Sequence, residues 1–594
     1  MANKKKNLQL SEKEQSFVIQ QIQSRYSICE NRQNAIFSKF RDYYEYYRGT
    51  VAWPDENVWR SKVFVPYIKQ IVDTVQPRLV SQDPIINVLP REEDDIKDSQ
   101  MMDELIKYQW EYIKMYEKIK MWVKTGLIYG VGVVKLGWDF TKTGDDTKDA
   151  PWISPISNYD FYIAPDASNT DDASYCIYKQ ERDLYDLKKN PNYVNLDRLE
   201  EAQSQNENEY KTAEQGSLSR STPKKDSRKK LVVYEYYGKL ATKEDSAEED
   251  WFIVTANNEF ILRAEKLEEV FPCGKPFVSF MDDPMPLDYW AIGEVEPLIP
   301  MQDELNTLRN QRLDNRKLII NHMWSVNKNA GIDWDDFVSR PGGIVEHDGT
   351  QNAVTPIIIP DTTQGSVQEE SIIKQDMDRT SGIFPGMMGQ IQKPSGADGD
   401  VNSTARGFLS AIEQAGTKMQ YKVDNLDDAI RKLGEKLLKL NQKYIKKDQV
   451  IRIVGKQGIQ FKKIPAEAIA KSYDFRVEGG STQPQNKQVL TQKYMQLLSL
   501  MANLSQAPLE ESTPGEQPKP TKVNLKYYMD NLIEQMDLPN IEEAYITPEA
   551  PAGPPMPPGM AGQTAQGISP EQYGQATQNA GGGVGTAQDA LPAL

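Results

Sequence analysis

NSTARGFLSAIEQAGTKMQYKVDNLDDAIRKLGEKLLKLNQKYIK, residues 402–446, carries apolar side chains in two seven-residue series: Met419, Leu426, Leu433, Leu440 and Val423, Ile430, Leu437, Tyr444. That spacing lays one stripe along one face of an α-helix. At 1.5 Å per residue the segment spans about 65 Å. So long a seam suits a large assembly. Gly407, Gly416 and Gly434 interrupt it and are candidate bends, since glycine weakens a helix.

Immediately upstream, IFPGMMGQIQKPSGADGDV at 383–401 holds four glycines and two prolines, with Lys393 as its sole cation. Unstructured connections beyond about 12 to 15 residues are unusual inside compact domains, so a flexible loop of functional length is expected. A shorter helix should precede it, opened by a Ser366/Glu369 capping box and ended by Gly382. Before that, GGIVEH and AVTPIII read as two short strand-like pieces joined through Gly349, and Ile292 to Met323 reads as a long helix. The apolar residues of that helix, among them Val295, Leu298, Leu305 and Ile319, make a thin face among many polar ones. Downstream come a hairpin, VIRIVGKQGIQFKKI, a strand, DFRVEGG, and helices near 486–504 and 522–536. From Pro548 to Leu594 there are 8 Pro, 9 Gly and three charged residues, too little apolar surface to offset ordering entropy, so disorder is expected.

The N-terminal half alternates helix and strand. Residues 11–48 form an amphipathic helix with Gly49 as C-cap, and its end carries Tyr43, Tyr44, Tyr46 and Tyr47, which cannot all face one side. A packing surface between elements or subunits is favoured over a ligand-stacking site. A helix opening at Pro66 and disturbed at Pro77, a strand at Ile85 to Leu89, a helix from Asp103 to Tyr129 and a strand from Val131 to Trp138 follow. Residues 195–230 are polar and aperiodic, and read as a mobile insertion; beyond them LVVYEYYGKL and WFIVTANNEFILRAEK are strands, with Asn257-Asn258 at a hairpin tip. The fold class is therefore α+β and helix-rich.

Composition narrows the function. With 70 basic and 86 acidic residues the net charge is −16, which argues against a coat for nucleic acid. Cys29, Cys176 and Cys273 stand far apart without a CxxC pair, which suits a reducing compartment and excludes a zinc ribbon or disulfide framework. His322 and His347 are the two histidines, so histidine-rich metal sites are out. The basic start lacks an apolar stretch behind it, and no run of about 18 apolar residues exists, so neither a secretory signal nor a membrane span is expected.

The search for chemistry returns little. The Gly-Lys pairs at 238, 274 and 455 lack the rest of a phosphate-binding loop, so no nucleotide-driven motor is expected. GVGVVKLG at 130–137 begins like a dinucleotide fingerprint but lacks the third glycine, and a packing role is favoured. ADGDVNST begins like a calcium loop and fails at Ser403 and Leu409. Acidic doublets at Asp171-Asp172, Asp282-Asp283, Asp335-Asp336 and Asp427-Asp428 could feed a two-metal nuclease, but scattered doublets are usually solvated or capping residues. No cofactor is expected.

The order of parts is informative where single motifs are not. FVPYIKQIVDTVQPRLV with PIINVLPR, then KIKMWVKTGLIYGVGVVKLGWD, a long helix, short strands, a second helix, a Gly-rich loop and a very long helix starting NSTARG together resemble the portal protein, or head-to-tail connector, of tailed double-stranded DNA bacteriophages. The resemblance covers about residues 10 to 540. It implies a portal-like fold with wing, stem, clip and crown regions. Residues 10–290 would be the first half of the wing, 291–323 and 361–382 the two stem helices, 324–360 the clip and 383–401 the tunnel loop. The long wing helix would be 402–446, the returning wing strands 447–482, the crown 483–547, and 548–594 a disordered tail.

It implies also a structural ring without enzymatic activity, typically of twelve subunits, at one capsid vertex of the virion, assembled in the host cytoplasm. Such a ring is the conduit for DNA entry and exit and docks terminase, tail adaptor proteins and the major capsid protein, with no membrane contact. Another head-tail ring, such as an adaptor, and a nucleic-acid enzyme are the competing classes. In the tunnel loop Met387, Met388, Gln390, Gln392 and Lys393 would meet DNA. Arg309, Arg312 and Arg316 share one helix face and either touch phosphate or pair with acidic groups such as Asp303 or Asp314 of an adjacent subunit; the acidic chain favours pairing.

Overall fold

Ser11 opens the first helix, α1 (Glu12–Arg48), with a reciprocal cap: its hydroxyl faces the Glu14 amide and its own amide donates to Glu14 Oε2 at 2.6 Å. Gly49, at φ 72°, closes it in the left-handed region. This computed structural model describes residues 10–53, 59–139, 150–200, 230–244, 246–321, 323–329, 331–332, 349, 351–361, 363–383, 401–446, 448–455 and 458–477. All of them belong to one compact unit, Met1–Pro484.

The buried face of α1 runs Val18, Ile22, Tyr26, Cys29, Gln33, Phe37, Phe40, Tyr43 and Tyr47, a spacing of threes and fours. The tyrosine cluster is thus packed within the chain. Phe40 meets Tyr129 and Trp290 with ring centroids 5.1 and 5.4 Å apart, and the Tyr46 hydroxyl donates to Asp303 at 2.6 Å.

Next come α2 (Tyr67–Leu79), which keeps Pro77 in its last turn, and β1 (Ile86–Pro90). The single helix expected over 103–129 is two, α3 (Ile96–Tyr112) and α4 (Met115–Tyr129). Lys114 between them sits at φ 54°, and a one-residue turn of this kind leaves the apolar stripe unbroken, so periodicity did not reveal it.

Two antiparallel sheets complete the N-terminal body. In one, β2 (Val131–Asp139) lies between β3 (Ala150–Ile156) and β9 (Phe277–Met281). The other runs in the order β4 (Phe161–Ile163), β5 (Tyr175–Asp183), β6 (Lys230–Leu240), β7 (Glu249–Ala256), β8 (Phe260–Lys266). Asn257 and Asn258 both take positive φ in the three-residue connection between Ala256 and Phe260, a conformation that asparagine tolerates. The glycines of GVGVVKLG serve packing: a side chain on Gly132 would meet the Trp122 carbonyl oxygen at 2.3 Å, and one on Gly137 the Trp152 ring at 2.4 Å. Short helices α5 (Leu184–Lys189) and α6 (Leu267–Val270) flank these strands.

The helix expected from Ile292 starts later, as α7 (Ile299–Ile320) after a single 3₁₀ turn at Glu296–Leu298. The preceding chain crosses Gly130 closely: a Cβ on Gly293 would lie 2.7 Å from the Gly130 nitrogen. Met323 is not helical but opens β10 (Met323–Val326), which pairs with β11 (Val354–Ile357), so the partner of AVTPIII comes from the end of the expected helix. GGIVEH lies outside the described residues. Helix α8 (Thr363–Ser381) begins before Ser366, so Ser366 and Glu369 are an interior i, i+3 pair rather than a cap, while Gly382 does end it at φ 74°.

The long helix α9 (Val401–Tyr444) is continuous through its glycines. Its two expected series are buried apart from Tyr444, which is half-buried, and Lys422, Ala429 and Lys436 are buried beside them. Gly434 marks a contact and not a bend: a Cβ there would lie 2.1 Å from the ring of Phe475. Phe475 belongs to β14 (Tyr473–Val477), which follows the hairpin β12 (Gln449–Gly455) and β13 (Gly458–Ile464) and helix α10 (Ala466–Ala470), and returns to pair with β1. Among the described residues, no helix is long and apolar enough to cross a membrane.

Candidate functional site

Helix α7 hides few apolar residues because it binds through amides. Gln302, Asn306, Asn310 and Asp314 recur every four residues, about 6 Å apart along the helix, which matches about two residues of extended chain. The segment 61–68 lies along them. Ser61 N donates to Asp314 Oδ1 at 2.7 Å, Val63 N to Asn310 Oδ1 at 2.8 Å and Val65 N to Asn306 Oδ1 at 3.0 Å. Asn310 Nδ2 returns a bond to the Val63 carbonyl at 3.0 Å, and Gln302 Nε2 one to Val65 at 2.6 Å. A backbone without a sheet partner is thereby satisfied. The Q-x3-N-x3-N-x3-D spacing is visible in the sequence, but the extended segment that it binds is set by the fold.

Helix α8 packs antiparallel on α7, the two joined by the short β10 and β11 strands. Tyr67 donates to Asp378 at 2.8 Å near the base of the pair, where burial pushes the Asp378 carboxyl up. Arg309, Arg312 and Arg316 of α7 line one cleft. Arg312, with its side chain 9% exposed, lies 2.5 Å from Glu370 of α8; Arg309 stands 3.7 Å from the same carboxylate, and Lys374 donates to it at 2.8 Å. Burial alone would raise the Glu370 carboxyl, but the bonds from Lys374 and Arg312 outweigh it and hold Glu370 below the usual range. Arg316 lines the same cleft, of about 530 Å³, with Val367 and Ser371. Three cations therefore lie within 4 Å of one carboxylate, with Arg316 beside them in the cleft. Asp303 and Asp314 have partners inside their own chain, Tyr46 on one side and Ser61 with Lys317 on the other.

The acidic doublets lead elsewhere. Asp282, following β9, is buried 2.6 Å from Lys422 of α9, whose ammonium also lies 2.7 Å from buried Glu294. Burial, reinforced by Glu294 and Asp283, pushes Asp282 up to about 7 against the pull of Lys422. Asp171 pairs with Lys436, which also donates to the carbonyls of Lys275 and Phe277 at 2.8 and 2.9 Å. These groups pin α9 to the body. Among the described residues, no group of three or more His, Cys, Asp or Glu is placed to hold a metal. A second cleft, of about 1050 Å³, opens beside Trp138 and Trp152, and within it Lys135 pairs with Glu235 and Arg263 with Glu265.

His322, His347, Asp335-Asp336 and the loop residues Met387, Met388, Gln390, Gln392 and Lys393 lie outside the described residues, as do most of the 195–230 insertion, residues 483–547 and the tail.

A chain of this architecture, a mixed α+β body carrying a polar two-helix hairpin and one very long helix, falls in the class of phage portal proteins, whose family model matches residues 18–149 and 141–577. That model is described as the phage SU10 portal protein, and the chain belongs to this family. No curated protein matches it.

Proposed function

We propose that the chain forms a closed ring, of twelve copies in the virion, at one capsid vertex, and that double-stranded DNA passes through its centre during packaging and ejection. The family match along most of the chain carries this reading. In this scheme α7 and α8 are the stem, β10 and β11 belong to the clip, residues 10–290 with α9 and the strands after it form the wing, and 483–547 form the crown. The clip and crown ends dock tail adaptor proteins, terminase and the major capsid protein. The ring works as a conduit and not as an enzyme.

Self-association is supported by large apolar side chains left uncovered on one chain. Ile320 is 75% and Ile358 83% exposed, and Met323, Trp324, Ile357, Val367 and Ile372 are also exposed. They cluster on the hairpin and at its tip, a concentration that marks an interaction surface. Residues 383–401 connect α8 to α9, and in the ring they reach the channel, where Lys393 of each copy offers one phosphate contact independent of base sequence. Replacing Gly386 to Gly399 with a short Gly/Ser linker should leave rings intact and lower the DNA retained per head. Heads that package and hold a full genome with that deletion would sink the channel role of the loop.

A further inference from the structure

The two-helix layer of α7 and α8 has unlike faces. On one lie Arg309, Arg312, Arg316 and Lys374 around Glu370, an excess of three positive charges over a cleft of about 530 Å³. Arg316 has no carboxylate partner among the described residues, and Arg309 stays 40% exposed despite its proximity to Glu370. At 3.6 residues per turn, Glu304 of α7 and Glu369 and Asp376 of α8 project from the opposite face of the layer, with Arg379 at its margin. Glu304 and Glu369 are exposed and form no ion pair among the described residues. Val367 adds an uncovered apolar group on the basic face, and Ile372 one at the edge of the acidic face.

Faces that differ in this way cannot form a two-fold contact with themselves, but each fits the other face of a second copy. Contacts of unlike faces run head to tail, and close into a ring where the rotation between copies closes. We propose that the basic face of one chain, centred on Arg309 and Arg316, receives Glu304 and Glu369 of the next, so that the α7–α8 pair is a charge-matched joint between neighbouring copies. This inference rests on the ring reading and assigns its contact residues. It places the exposed arginines between subunits and away from passing DNA.

Charge exchange between the faces tests it. Arg309→Glu with Arg316→Glu reverses the basic face and leaves Arg312 on Glu370; Glu304→Lys with Glu369→Lys reverses the acidic face. Full-length chains, compared by mass photometry with the unaltered protein, should each lose at least nine tenths of their rings at low salt. The chain carrying all four substitutions, and a mixture of the two separately purified variants, should regain them, because every joint again pairs opposite charges. Rescue by mixing requires both variants to be folded. If either two-residue variant forms rings as the unaltered chain does, the faces do not meet and the inference is overturned. It is equally overturned if both variants lose rings and neither the mixture nor the four-substitution chain recovers them. Absence of rings in the unaltered protein would instead overturn the ring reading itself.

Discussion

Replacing Lys422 with methionine leaves Asp282 and Glu294 buried without the cation that lies 2.6 and 2.7 Å from them. Their side chains are 1% and 4% exposed, so solvent cannot compensate. Removing one partner of a buried pair destabilises a protein by about 3 to 5 kcal/mol, because the remaining charge is stranded. The pH dependence follows from Asp282. Its folded pKa is raised, so the native state holds the proton more tightly than the unfolded chain, and stability falls as pH rises from about 4 to about 7 even with Lys422 present. Without the lysine Asp282 favours the protonated form more strongly. The variant should therefore lose about 3 to 5 kcal/mol at pH 8 and clearly less at pH 5, where Asp282 is protonated and no longer a stranded charge. Urea unfolding followed by tryptophan fluorescence at the two pH values measures this difference. Adding Asp282→Asn and Glu294→Gln should recover most of the loss at pH 8. A loss under about 1 kcal/mol at pH 8, or an equal loss at both pH values, would refute the reasoning.

Asn310→Ala removes both bonds to Val63, whose exposed backbone can then turn to water, so it should lower stability by about 1 kcal/mol and speed amide exchange across residues 61–68. Unchanged protection of that segment would contradict the amide ladder as its anchor. Gly434→Ala drives a methyl into the Phe475 ring and should cost about 1 to 3 kcal/mol, read as a lower unfolding midpoint, with Phe475→Leu restoring part of it. An unchanged midpoint would mean that the glycine is not a packing contact.

Much of the fold is written in side-chain spacing. The stripe of α9, the cap at Gly49 and the Asn257-Asn258 turn are local signals, and the structure keeps them. Lys422 and Lys436 were not legible as buried groups, because what buries them, Asp282, Glu294 and the carbonyls of Lys275 and Phe277, comes from distant parts of the chain. Strands β3 to β5 escaped for a related reason. Residues 150–163 are broken by Pro151 and Pro155, and only Tyr175, Cys176 and Ile177 in β5 are deeply buried, so pairing with neighbours rather than alternation defines these strands. On the hairpin, the arginine face was legible from i, i+3, i+7 spacing, but Glu370 as its in-chain partner depends on how α8 packs.

Cryo-electron microscopy of the purified full-length protein measures the assembly directly. The account predicts closed rings with a central opening, in which the α7–α8 pairs of neighbouring copies meet through Arg309 and Arg316 on one side and Glu304 and Glu369 on the other. Single chains or open, irregular clusters across salt and protein concentrations would contradict it.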